Sequence, residues 1–157
     1  MSDGEQVRRA TVTWTGDLVG GSGRVSAETS GLFKELPVTW ASRTEAHEGR
    51  TSPEELLAAA HAACFSMAFA NTLTKDGTPP GELWVSAAVT FARDDAGWSI
   101  TASHLDVRGR VDGSSQAAFA DAAERAKDGC PVSRALKGNV DVTVTATLEA
   151  GPPNAAA

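Results

Sequence analysis

The chain has 157 residues, of which 41% are hydrophobic and 22% charged, a composition typical of a globular protein with one domain. Its formal net charge of -6 and its lack of a Lys/Arg run argue against binding along a nucleic-acid backbone. The N-terminus lacks the pattern of a signal peptide, and we expect no membrane-spanning segment, so the sequence predicts a cytoplasmic protein.

Three short strands are predicted in the first third of the chain, at residues 11–14, 24–27 and 36–40. Pro37 in the third strand indicates an edge strand or the start of a strand, because proline cannot donate a ladder hydrogen bond. The glycine cluster at residues 20–23 lacks the spacing of a phosphate-binding loop.

A long helix follows, and its beginning is the clearest signal in the sequence. Ser52 fits the N-cap, Pro53 the first helical position, and Glu55 completes a capping box. Residues 56–70 include no acidic residue, lysine or arginine, and the helix is expected to end before Gly77. A helix that is apolar on every side is predicted to be buried all round.

The second half of the chain alternates between strands and helices. A hairpin is predicted from strands at residues 85–91 and 98–111, and helices are predicted at residues 112–129 and 130–136, with Cys130 and Pro131 at the start of the second helix. A final strand with strict alternation covers residues 140–148. The element order βββ-α-ββ-αα-β predicts an α+β fold with antiparallel sheets. We expect a flexible N-terminus at residues 1–8, one domain at residues 9–149 and a disordered tail at residues 150–157.

The two cysteines, Cys64 and Cys130, are either inert core thiols or redox groups, since cytosolic disulfides tend to be catalytic or sensing. Cys64 lies within the apolar helix, where burial would raise the pKa of its thiol. Cys130 lies at the start of a helix, where the helix dipole would lower the pKa of its thiol. Taken alone, these positions favour Cys130 as the more reactive cysteine.

Two other kinds of site remain open at this point. His61 and Cys64 are three residues apart on one helix and could bind zinc with Cys130 and either Glu54 or His47. A hydrolase with Cys64 as nucleophile and a histidine as base is also conceivable, although no local motif supports it. Otherwise His61 is interpreted as a buried histidine with hydrogen-bond partners.

Charged residues flank the start of the long helix. Arg43 precedes it and Glu54 lies in its first turn. Their spacing alone favours solvated surface charge, and a glutamate near a helix N-terminus needs no role beyond its interaction with the helix dipole.

Two long segments resemble a known family. Residues 51–68, TSPEELLAAAHAACFSMA, resemble the central-helix signature of the osmotically inducible protein C family, and residues 127–137, KDGCPVSRALK, resemble its second cysteine motif. The resemblance extends over roughly residues 9–148. The segment HAACFSM, residues 61–67, is more similar to the osmotically inducible branch than to the organic hydroperoxide resistance branch.

The resemblance implies thiol-dependent reduction of organic hydroperoxides by an intertwined homodimer whose sheets surround the central helices. It implies that Cys64 is the peroxidatic cysteine, that Cys130 is the resolving cysteine, and that Arg43, oriented by Glu54, stabilises the thiolate. The other branch of the family makes Arg24 a competing candidate for the arginine. A dithiol, for which a dihydrolipoyl protein is the candidate, would reduce the disulfide, and no metal or other cofactor is implied.

The side chains near Cys64 on the helix predict the character of a substrate pocket. Leu57, Phe65, Met67 and Phe69 are all apolar, so we expect an apolar wall and a preference for bulky organic hydroperoxides over hydrogen peroxide.

Overall fold

The computed structural model describes residues 4–150, and the chain divides between Pro53 and Glu54 into two compact units. Strands and helices occur together without strict alternation, which confirms the predicted α+β class. Most of the predicted tail and residues 1–3 of the predicted flexible N-terminus lie outside the described residues. The single domain expected over residues 9–149 stays a prediction.

The N-terminal unit contains the three predicted strands. β1 (Ala10–Thr15), β2 (Ser22–Ala27) and β3 (Leu36–Val38) form an antiparallel sheet in the order β1-β2-β3, followed by the short helix α1 (Ala41–Thr44). Pro37 lies in β3 at the edge of this sheet, as predicted.

The glycine cluster in this sheet serves close packing. A Cβ atom at Gly23 would lie 2.8 Å from Cγ1 of Val38 and 2.9 Å from the ring of Trp14. No side chain fits at this position without displacing Val38 or Trp14, so glycine at position 23 allows both side chains to pack there.

The C-terminal unit contains the long helix and the second sheet. Its elements are α2 (Pro53–Lys75, within this unit from Glu54), β4 (Glu82–Asp94), β5 (Gly97–Arg110), α3 (Gln116–Gly129), α4 (Pro131–Leu136) and β6 (Asp141–Leu148). Apart from the additional helix α1, this is the predicted order. The hairpin turn lies where the sequence places it, with Gly97 at a φ of 120°.

One strand pairing differs from the prediction. β4 and β5 are antiparallel, but β6 runs parallel to β5, with Ala102 opposite Asp141 and Gly109 opposite Leu148. The prediction of purely antiparallel sheets is therefore wrong for β6. The physical reason is that α3 and α4 form the connection between the two strands, and a helical crossover returns the chain in its original direction.

One stripe of α2 forms the core of the C-terminal unit. The buried residues recur every fourth position at His61, Phe65, Phe69 and Leu73. Phe65, Phe69 and Leu73 belong to one hydrophobic core cluster with residues of β5 and α3: Leu105, Val107, Phe119, Ala122, Ala123 and Ala126. The rings of Phe69 and Phe119 are 4.9 Å apart between centroids.

The opposite face of α2 is uncovered in the single chain. Ala59, Ala60, Ala63, Met67 and Asn71 are exposed, and Met67 has 68% of its surface accessible. Burial on every side, which was expected within an intertwined dimer, stays a prediction. The C-terminal unit by itself leaves this face of α2 uncovered.

α2 also corrects the expectation about membrane-spanning segments. Within residues 4–150 it is the one helix with the length and apolar composition of a membrane span. These two properties are shared by apolar core helices, and one stripe of α2 is committed to the core described above. The length and composition of α2 are therefore only weak evidence for a membrane-spanning helix.

Candidate active site

The fold brings the two cysteines together from distant parts of the C-terminal unit. Cys64 lies in the middle of α2 and is partly exposed, whereas Cys130 lies between α3 and α4 and is fully buried. Both are free thiols, and they are close enough for Cys130 to raise the pKa of Cys64. A small oxidant arriving from solvent can thus reach Cys64 first, and the product of that attack would face Cys130.

The geometry around Cys130 depends on its place between two helices. It is the C-cap of α3 and the N-cap of α4, and its amide donates to the carbonyl of Ala126 at 2.8 Å. Pro131 occupies the first position of α4 and has no amide proton. The next amide, that of Val132, is close enough to the sulfur of Cys64 to lower the pKa of its thiol.

The surroundings of Cys64 favour its protonated form. Burial raises the pKa of the Cys64 thiol, the Val132 amide lowers it, and contact with the Cys130 thiol raises it again, with burial the largest effect. The net pKa lies above the ordinary value for cysteine. None of these influences is a cation, so a nucleophilic Cys64 at neutral pH needs a positive charge that they do not supply.

His61 lies one helical turn before Cys64 and is fully buried. Its Nδ1 lies 2.7 Å from the hydroxyl of Ser103 on β5, and its Nε2 lies 2.8 Å from the hydroxyl of Ser133 on α4. Burial lowers the pKa of His61, so the ring is neutral around pH 7. The interpretation of His61 as a buried histidine with hydrogen-bond partners is confirmed.

This arrangement does not suit the two other kinds of site. Both ring nitrogens of His61 are engaged by serine hydroxyls, so neither is directed to a metal or positioned as a base for Cys64. Across residues 4–150, no group of three or more His, Cys, Asp or Glu side chains is arranged to hold a metal ion.

The charged candidates are divided between the two units. Arg43 lies in α1 of the N-terminal unit, with its guanidinium carbon 5.5 Å from the ring centre of Trp40. Arg24, the competing candidate, lies on β2 of the same unit and donates to the carbonyl of Glu35 at 3.5 Å. Glu54 is a buried residue in the first turn of α2 in the C-terminal unit.

The expected apolar wall of a substrate pocket is smaller than the sequence suggests. Phe65 and Phe69 are fully buried in the core, with their ring centroids 5.5 Å apart, and cannot contact a substrate at the surface. Leu57 and Met67 remain available, since Leu57 is half-buried and Met67 exposed. The prediction was wrong for Phe65 and Phe69 because these two residues lie on the face of α2 that packs into the core of the unit.

Three residues at this site were missed by sequence reasoning: Ser103, Val132 and Ser133. Ser103 had a detectable signal, because it precedes Leu105 and Val107 on the inward face of β5 and a polar residue on such a face needs a buried partner. Val132 acts through its backbone, which the sequence does not mark. Ser133 follows Cys130 by three residues, and its partner is 72 positions away.

Comparison with known proteins identifies the family. The family model described as OsmC-like protein matches residues 46–145. Peroxiredoxin OsmC of Escherichia coli is 39% identical over 133 residues, covering 85% of this chain and 92% of that protein. The organic hydroperoxide resistance protein OhrA of Bacillus subtilis is 32% identical, covering 84% and 93%. The chain belongs to the OsmC-like family, and its similarity is greater to the OsmC relative.

Solved structures agree with this assignment at the level of the fold. The crystal structure of the organic hydroperoxide resistance protein OhrB of Bacillus subtilis matches with a TM-score of 0.66 and 23% identity, covering 90% of this chain and 98% of that one. An OsmC-like protein from Mycoplasma pneumoniae matches with a TM-score of 0.70 and 14% identity, covering 93% and 99%.

Proposed function

We propose that this protein is a peroxidase that reduces organic hydroperoxides to alcohols through a Cys64–Cys130 disulfide and so protects its cell against oxidative or osmotic stress. The observation that carries the proposal is the contact between a partly exposed thiol, Cys64, and a fully buried one, Cys130. Relatives named peroxiredoxin and organic hydroperoxide resistance protein support the same chemistry.

The proposed reaction has three steps. The Cys64 thiolate attacks the terminal, hydrogen-bearing oxygen of the peroxide, and the O–O bond breaks. This leaves a sulfenic acid on Cys64, and the departing alkoxide takes a proton to become the alcohol. The Cys130 sulfur then attacks Cys64, and the hydroxyl group departs as water when the disulfide forms. An external dithiol, with a dihydrolipoyl protein as candidate, reduces the disulfide by exchange and is itself oxidised.

The first step requires Cys64 as a thiolate. The Val132 amide favours this form, but burial disfavours it more strongly. In the proposal Arg43 supplies the missing positive charge, and Glu54 orients the guanidinium through a forked contact. Arg24 is the alternative source of the charge.

The proposed assembly is a homodimer in which two copies of α2 pack together. The exposed alanines and Met67 form an apolar strip with small side chains, which allows close approach of a second helix. Residues 60, 64, 67 and 71 lie within about 60° of each other around the helix, so Cys64 borders this strip. A second copy would cover an apolar face that is costly to leave in water.

Intact mass measurement after addition of cumene hydroperoxide tests the proposed function. Reduced protein should lose about two daltons as the disulfide forms, whereas Cys130→Ser should gain about sixteen daltons as sulfenic acid accumulates on Cys64. The double variant Cys64→Ser/Cys130→Ser is the control and should keep its mass. An unchanged mass of the wild-type protein, with peroxide remaining, contradicts the proposal.

A further inference from the structure

We propose that His61 is a positioning residue for the cysteine pair: it joins α2 to α4 through Ser133 and thereby holds Cys130 and the Val132 amide against Cys64. The inference rests on the proposed pairing of Cys64 with Cys130. It assigns a role to a buried ring that the three proposed reaction steps do not use.

Neighbouring residues of α2 interact with the beginning of α4. His61 and Cys64 lie three residues apart, which places them as neighbours on adjacent turns of α2. His61 contacts Ser133 of α4 at 2.8 Å, while Cys64 lies close enough to the thiol of Cys130 and the amide of Val132 for both to affect the pKa of its own thiol. The polar contacts of two successive turns of α2 are therefore made with one short segment, residues 130–133.

That segment has little stability of its own. α4 has six residues, and its N-cap Cys130 makes no side-chain capping hydrogen bond. A helix of this length is not stable in isolation, so tertiary contacts determine its position. The bond between His61 and Ser133 is one such contact, and both side chains are buried, with 0% and 6% of their surface exposed.

The second serine gives the imidazole a fixed orientation. Ser103 is fully buried on β5 and contacts Nδ1, so that Nε2 is left for Ser133. A neutral imidazole has one donor and one acceptor nitrogen, and a serine hydroxyl can serve as the partner of either. The hydrogen bonds among these three side chains thus connect the sheet, α2 and α4.

The positioning role predicts an effect on disulfide formation that is separate from peroxide chemistry. We would measure the equilibrium between the reduced protein and oxidised dithiothreitol. The two thiols lose two electrons and two protons to form the Cys64–Cys130 disulfide, and dithiothreitol becomes the dithiol. Ser133→Ala should lower this equilibrium constant about three- to tenfold, the effect of losing one buried hydrogen bond that holds the pair together.

Two further variants separate positioning from general packing. Ser103→Ala also removes one buried hydrogen bond of His61 but leaves the contact with α4, so it should change the equilibrium constant less than Ser133→Ala. Ser133→Thr retains the hydroxyl, and Ser133 borders an open pocket of about 200 Å³ that has room for a methyl group, so its equilibrium constant should be close to the wild-type value. Urea unfolding of all three variants reports the accompanying loss of stability.

The order of these equilibrium constants decides the matter. The proposal is supported if the equilibrium constant is lower in Ser133→Ala than in Ser103→Ala and is close to the wild-type value in Ser133→Thr. An equal fall in Ser103→Ala and Ser133→Ala, or no fall in Ser133→Ala, overturns it. If the selective fall is seen in a protein that does not consume peroxide, the proposed function fails while the positioning role of His61 stands.

Discussion

The backbone amide of Val132 lies close enough to the sulfur of Cys64 to lower the pKa of its thiol, and it belongs to the residue two positions beyond Cys130, which interacts with the same sulfur. One turn of chain thus supplies both the amide that favours the Cys64 thiolate and, in the proposed reaction, the thiol that displaces the hydroxyl group of the Cys64 sulfenic acid. Any movement of this turn away from α2 would weaken both interactions at once. In the proposed reaction, the reactivity of Cys64 and the approach of Cys130 are therefore coupled through the backbone of α4.

The roles of the two cysteines give the first prediction. Cys64→Ser should abolish peroxide consumption, because Cys130 is fully buried and Cys64 is the accessible thiol. Cys130→Ser should consume about one equivalent of peroxide per chain and then stop, with Cys64 left as a sulfenic acid open to further oxidation. Peroxide assays at limiting protein measure both. Multiple turnover in Cys64→Ser together with an inactive Cys130→Ser would reverse the roles and favour the helix-dipole argument.

The second prediction concerns the substrate. Cumene hydroperoxide should be reduced with a higher kcat/KM than hydrogen peroxide, since apolar side chains border Cys64. Leu57 lies two turns before Cys64 on nearly the same face of α2, about 20° away around the axis. Leu57→Gln should therefore lower the ratio of the two kcat/KM values several-fold, whereas Leu57→Met should preserve it. Equal kcat/KM values for the two peroxides in the wild-type protein would contradict an apolar pocket.

The third prediction uses the buried histidine as a probe of stability. Burial lowers the pKa of His61 below the value of 6.5 that it has in the unfolded chain, so the unfolded state binds more protons between these two pKa values. The free energy of unfolding should be unaffected by this group above pH 6.5 and should decrease as the pH falls below it. Urea unfolding from pH 7.5 to pH 5 measures this slope.

His61→Gln provides the comparison, because it removes the titrating group and should flatten the acid slope even if the protein is less stable overall. His104→Gln is the matched control: it makes the same substitution at an exposed histidine next to Ser103 on β5, and the acid slope should be flatter in His61→Gln than in His104→Gln. An unchanged slope in His61→Gln would show that His61 is not the group responsible.

Local signals in the sequence predicted the order of the elements and both cysteine positions. Pro53, Gly97 and Pro131 mark beginnings and turns whose conformation depends mainly on the residue itself. The direction of β6 could not be predicted in this way, because it depends on how α3 and α4 cross the sheet. The partners of His61 are 42 and 72 residues away, and such contacts leave no periodic pattern.

α2 shows a different limit of sequence reasoning. Its composition is apolar on every side, yet a single chain buries one stripe and leaves Met67 exposed. Burial depends on what packs against a helix, and composition does not distinguish the chain's own sheet from a second copy or a lipid surface. Burial of α2 on every side is therefore expected in an assembly of two chains.

The last prediction is that Arg43 and Glu54 of one protomer act on Cys64 of its partner. Glu54 and Cys64 lie on the continuous helix α2, ten residues apart. The rise of about 1.5 Å per residue separates them by roughly 15 Å along the axis, and the turn of about 100° per residue leaves them roughly 80° apart around it. A direct cluster within one chain is strained, whereas antiparallel packing of two copies of α2 would bring Glu54 of each copy towards Cys64 of the other.

Complementation tests this arrangement. Cys64→Ser and Arg43→Ala, each inactive alone, are unfolded, mixed in equal amounts and refolded together. Half of the dimers should then be mixed, and each mixed dimer should contain one site in which an intact Arg43 faces an intact Cys64, so activity should return to roughly a quarter of the wild-type value. Arg24→Ala is the matched control for the choice of arginine, since it should remain active alone if Arg43 is the functional residue. If mixed dimers form but remain as inactive as the parents, Arg43 acts within its own chain and the shared site is wrong.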